Sequence, residues 1–102
     1  MSEFTSKLKS DELDYLFEGI LALESQEECY RFFDDISTIT EIKALSQRLQ
    51  VAKMLKEKKT YIEIAEITGA STATISRVNR ALTYGSDGYN KILDKIGVKE
   101  AK

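Results

Sequence analysis

Apolar residues recur along this chain at helical spacing almost from end to end. Behind Ser10 stand Leu13, Leu16, Phe17, Ile20, Leu21 and Leu23, the i, i+3, i+4, i+7 stripe of an amphipathic helix. Ser25-Gln26-Glu27-Glu28 has the form of a capping box, in which a hydroxyl accepts from an orphan N–H and the glutamate reaches back. It opens a helix with Cys29, Phe32, Phe33 and Ile36 on its apolar side. A second box, Thr38-Ile39-Thr40-Glu41, opens a long helix carrying Ile42, Leu45, Leu49, Ala52 and Leu55 and ending near Lys58. A third, Thr60-Tyr61-Ile62-Glu63, opens a short helix that reaches Thr68 and stops at Gly69. Ser71 restarts a helix through Ile75, Val78 and Leu82 to Gly85. Ser86-Asp87 caps a last one with Tyr89, Ile92, Leu93 and Ile96, stopped by Gly97.

The pattern predicts six helices and no strand, an all-α chain. No linker divides it, so residues 1–102 are expected to form one domain, with residues 1–8 and 98–102 as loose ends. The first two helices carry more large apolar side chains than a short helix pair in a 102-residue chain easily buries. Two outcomes fit: they cover the C-terminal half of their own chain, or they form a homodimer interface through residues 10–55.

The net charge of −2 argues weakly against nucleic acid until it is resolved by segment. Residues 1–41 hold three cations and eleven anions, whereas residues 42–84 hold eight cations and three anions. The chain is an acidic segment followed by a basic one. No apolar run approaches the roughly 18 residues of a membrane span. No signal-peptide pattern begins the sequence, so a cytoplasmic protein with no membrane partner is expected. With no His and the single Cys29, neither a disulfide nor a zinc site is expected. An enzyme is disfavoured on the same grounds. The acid pairs Asp34/Asp35 and Glu27/Glu28 are sequence neighbours whose side chains diverge around a helix.

Residues 60–84 fit a helix-turn-helix. Ala65 is small where two crossing helices touch, and Gly69 stands where the turn needs positive φ. Ile64, Ile75 and Val78 are the apolar positions that hold the second helix across the first. Thr68 replaces the aliphatic residue more usual before the glycine, with Ile67 as the expected compensation. The second helix presents Ser71, Thr72, Ala73, Thr74, Ser76, Arg77 and Arg80, which are small or basic. Small residues at a helix N-terminus allow close approach to base edges, where Ala and Thr methyls meet thymine methyls and hydroxyls bond donors or acceptors. Lys56, Lys58 and Lys59 precede the motif as candidate phosphate clamps, or as a solvated helix end favoured by the macrodipole.

The runs Thr38-Ile39-Thr40-Glu41-Ile42-Lys43-Ala44-Leu45-Ser46-Gln47-Arg48 and Gly69-Ala70-Ser71-Thr72-Ala73-Thr74-Ile75-Ser76-Arg77 resemble the bacterial Trp repressor family. The longer run Ala70-Ser71-Thr72-Ala73-Thr74-Ile75-Ser76-Arg77-Val78-Asn79-Arg80-Ala81-Leu82-Thr83-Tyr84-Gly85-Ser86-Asp87-Gly88-Tyr89 is similar to its Trp-repressor-related YerC/YecD subgroup. The resemblance implies a six-helix, intertwined homodimer that presents one helix-turn-helix to each half-site of a palindromic duplex. It implies candidate effector residues at Thr38, Arg48 and Arg77. The family has Gly and Ser where this chain has Val78 and Ala81, and both changes work against a bound tryptophan. Another small corepressor, or none, stays open. The expected function is a sequence-specific DNA-binding transcriptional regulator, more a repressor than an activator. The alternative is a helical protein-interaction module that does not bind DNA.

Overall fold

The computed structural model describes residues 4–100. It contains six α-helices and, among the described residues, no strand: α1 (Asp11–Leu21), α2 (Gln26–Ile36), α3 (Ile39–Lys56), α4 (Tyr61–Thr68), α5 (Thr72–Tyr84) and α6 (Gly88–Lys95). The chain resolves into two compact units, 1–38 and 39–102. Three of the expected hydroxyl caps close as expected. Ser10 Oγ accepts from Leu13 N, Ser25 Oγ from Glu28 N and Thr60 Oγ1 from Glu63 N, each at 3.1 Å. The return arm of the Ser25 box reaches one residue further than anticipated, with Glu28 Oε1 accepting from Glu24 N at 2.9 Å. Asp87 occupies the α6 cap position but does not cap: it lies at φ 67°, and its carboxylate accepts from the Asn90 amide instead.

The first unit is the helix pair α1 and α2. Phe32 and Phe33 meet edge to face at 5.2 Å between ring centroids. Yet neither helix contains a buried residue. Tyr15, Phe17, Leu21, Tyr30 and Ile36 are all exposed, Leu21 by 85%. Cys29, expected on an apolar face, is exposed as well.

The second unit has a true core. Val51, Ala52 and Met54 of α3, Ile64 of α4, Ala70 of the α4–α5 turn, Ile75 and Val78 of α5, and Leu93 of α6 form one buried cluster. Leu55, Ala65, Leu82, Tyr89 and Val98 pack around it. Full burial of each large aliphatic is worth about 1.5–3 kcal/mol. Here α3 departs from the expected stripe. It buries Val51 and Met54, while Leu45 stays 52% exposed and Leu49 is only partly covered. Apolar residues occur on all sides of α3, so periodicity alone did not single out its core face.

Two helices end in the same hydrogen-bond pattern. After α3, Lys59 N donates to Met54 O and Lys58 N to Leu55 O; after α6, Val98 N donates to Leu93 O and Gly97 N to Asp94 O. This is the Schellman arrangement, whose penultimate residue adopts left-handed backbone. Gly97 does so at φ 89°, and Lys58 at φ 62°. Val98 is thereby drawn against the core rather than left as part of a loose end. Residues 1–3, 101 and 102 of the expected loose ends lie outside the described residues.

A non-glycine residue in left-handed backbone costs on the order of 1 kcal/mol. Lys58→Gly is therefore expected to raise stability by about 0.5–1 kcal/mol. Urea unfolding at fixed protein concentration measures it, and an unchanged or lowered midpoint contradicts the assignment.

Candidate nucleic-acid interface

The short connection between α4 and α5 fixes the angle at which α5 is presented. Gly69 turns the chain at φ 74°, and its N–H donates to Ala65 O at 2.9 Å. Thr68 supplies the rest of the lock. Its hydroxyl donates to Ile64 O at 2.7 Å and accepts from Ala70 N at 3.1 Å, while its carbonyl accepts from Gln47 Nε2 of α3 at 3.1 Å. Ile67 does not compensate for the threonine, because it is 68% exposed. The polar residue is there for its hydroxyl, which satisfies the N–H of the buried Ala70.

Ser71 caps α5, accepting from Thr74 N at 3.1 Å and donating to the Thr74 hydroxyl. Ile75 and Val78 are sunk in the core. The opposite face is therefore turned outward, and Ser71, Thr72, Ala73, Ser76, Arg77 and Arg80 are all exposed, with Thr74 half-buried. Neither the Arg77 nor the Arg80 side chain has a hydrogen bond or ion pair among the described residues. They line a cleft of about 480 Å³ with Tyr61, Asn79, Thr83 and Tyr84.

The three candidate lysines part ways. Lys56 is half-buried, and its Nζ donates to Asn90 Oδ1 at 2.8 Å. The same Asn90 amide donates to Leu82 O and Asp87 Oδ1, each at 3.0 Å. Asn90 thus ties the end of α3 to the end of α5 and the start of α6, and Lys56 belongs to that clasp rather than to an open clamp. Lys58 Nζ lies 3.6 Å from Glu100 in an exposed pair. Lys59 is exposed with no side-chain partner among the described residues. The turn after α5 is tight: a Cβ on Gly85 would stand 2.4 Å from Ala81 O.

The candidate effector residues are Thr38, Arg48 and Arg77. Thr38 belongs to the first unit, and Arg48 and Arg77 to the second. Arg48 on α3 is half-buried and is not among the residues lining the Arg77 cleft. Val78 is 2% exposed and fills core space. Ala81 lines a separate, mainly apolar cleft of about 410 Å³ with Leu49, Tyr89 and Ile92.

Sequence reasoning missed Gln47, the double use of Thr68, the Asn90 clasp and the Tyr61–Tyr84 cleft. The last had a signal, since Arg77, Arg80 and Tyr84 stand at i, i+3 and i+7 on one helix face.

An all-helical unit whose second motif helix shows small, hydroxyl-bearing and basic residues to solvent defines the helix-turn-helix class. The comparisons carry the identification further. The family described as Trp repressor protein matches residues 11–97, and the chain belongs to it. The family's members are DNA-binding regulators and not enzymes. The chain is 57% identical over 96 residues to the uncharacterized protein YerC of Bacillus subtilis (strain 168), covering 94% of this chain and 92% of that one. A crystal structure of a Staphylococcus aureus protein, provisionally named a Trp repressor, superposes with a TM-score of 0.88 at 56% identity, covering 92% of this chain and 94% of that one. That of a TrpR like protein from Eubacterium eligens ATCC 27750 gives 0.87 at 56% identity, covering 92% and 97%. No described helix is long and apolar enough to cross a membrane.

Thr68→Val removes the acceptor for the buried Ala70 N–H and keeps the side-chain volume. A loss of about 1–3 kcal/mol is expected. Hydrogen exchange should show Ala70 as the amide whose protection falls most. Unchanged protection at Ala70 would mean that the hydroxyl does not hold the turn.

Proposed function

We propose that the protein is a transcriptional repressor that binds a palindromic DNA operator as a homodimer, one helix-turn-helix per half-site, in the cytoplasm. The observation that carries this is the outward face of α5. Its first turn bears Ser71, Thr72, Ala73 and Thr74, and Arg77 and Arg80 follow with no side-chain partner among the described residues. Side chains this short let the helix N-terminus approach base edges in the major groove. The unpaired guanidiniums and Lys59 supply charge for the phosphates, which gives affinity that falls with salt.

The dimer is supported by the first unit. Two amphipathic helices that bury no residue leave large apolar side chains in water, which a second copy would cover. Tryptophan is not part of the proposal, because Val78 occupies core space and Ala81 offers no hydroxyl to an amine.

Selection from a pool of random duplexes tests the DNA reading. Enrichment of a palindrome is expected. Arg77→Ala and Arg80→Ala should each weaken binding about uniformly across sequences and reduce the salt slope by about one. Failure of the wild-type protein to retain any duplex at low salt would favour a protein-interaction module instead. Separately, sedimentation equilibrium should return twice the 11.6 kDa chain mass. Phe17→Glu, which places a charge on the apolar face of α1, should shift the protein toward monomer. A wild-type monomer at micromolar concentration would refute the dimer.

A further inference from the structure

The cleft between α4 and α5 has a composition that the base-reading turn of α5 does not explain. Its wall on α5 runs from Ser76 to Tyr84, two helical turns and about 12 Å along the axis. That length is enough to meet more than one phosphate of a DNA strand, whose charges recur at about 3.4 Å along the duplex axis. Arg77 and Arg80 line it with no partner of their own, and no carboxylate is among the lining residues. Tyr61, on the first turn of α4, and Tyr84, on the last turn of α5, stand among its lining residues as well. Tyr84 is 82% exposed. Asn79 and Thr83 add polar groups, with the Thr83 hydroxyl donating to Asn79 O at 3.2 Å.

We propose that this cleft grips the sugar-phosphate backbone of one strand, with the Tyr61 and Tyr84 hydroxyls donating to phosphate oxygens and Arg77 and Arg80 neutralising them. The proposal rests on the DNA-binding reading and deepens it: α5 reads bases with its first turn and is held in register by its remaining length. A row of unpaired cations flanked by hydroxyl donors complements a polyanion of regular spacing. The basic segment of residues 42–84 places this charge on the second unit. A tyrosine hydroxyl is an uncharged donor, so its removal changes affinity without changing the number of counterions released.

The test uses the full chain, the palindromic duplex recovered by selection and a random-sequence duplex of equal length. The double variant Y61F/Y84F keeps both rings. It should bind both duplexes more weakly by the same factor, at least about tenfold for two hydrogen bonds to charged phosphates. Its salt slope should equal that of wild type, whereas R80A should lower the slope by about one. Binding by Y61F/Y84F within twofold of wild type overturns the cleft alone, with the DNA reading intact. A loss confined to the selected duplex also overturns it, because the tyrosines would then be reading bases. If wild-type protein binds neither duplex at low salt, the DNA reading fails and the cleft falls with it.

Discussion

The second unit depends on the seating of Ile75 and Val78. These two residues, one turn apart on α5, share a buried cluster with Val51 and Ala52 of α3 and Ile64 of α4. A helix committed to the core along one stripe has no freedom to rotate, so its opposite face is fixed as well. That is why Thr72, Ala73, Ser76, Arg77 and Arg80 all point outward together. The polar contacts at the two ends of α5 refine this seating. Thr68 and Gln47 hold the turn before it, and Asn90 with Lys56 holds the segment after it. Each such bond is worth on the order of 1 kcal/mol, less than a buried aliphatic but directional. Burial positions the helix, and the hydrogen bonds set its angle.

Charge and apolar surface are divided between the two units in a way that suits the proposed function. The acidic segment carries amphipathic helices in which no residue is fully buried. The basic segment carries a packed core and a polar outer helix face. The proposed interface for a second copy and the proposed interface for a polyanion thus fall on different parts of the chain. Phosphates would be repelled by the first and attracted by the second.

Much of the fold was legible because helix starts and stops have local causes. Ser10, Ser25, Thr60 and Ser71 sit where a side-chain oxygen can accept an orphan N–H within three residues, so four residues carry the signal. Gly69 and Gly97 are read the same way, since left-handed backbone suits glycine. The candidate DNA-facing residues of α5 were legible for a related reason: once Ile75 and Val78 are core, helical geometry dictates what lies opposite. Asp87 shows the limit of local rules. It stands at the cap position, but its carboxylate is taken up by Asn90, whose amide also reaches Leu82 O.

What the sequence determined by itself is therefore the set of helices, the polarity of charge along the chain and the identity of the motif, all of which depend on neighbours within a few positions. Tertiary structure decided the rest. It chose Val51 and Met54 over Leu45 as the core face of α3, because a helix with apolar residues all round acquires a core face only when other helices pack on it. It turned Lys56 from a solvent-facing cation into a clasp, because its partner Asn90 lies in a different helix. It also brought Tyr61 beside Arg77 and Tyr84, a meeting of two helices whose relative angle is set by the Thr68–Gly69 turn and no local pattern.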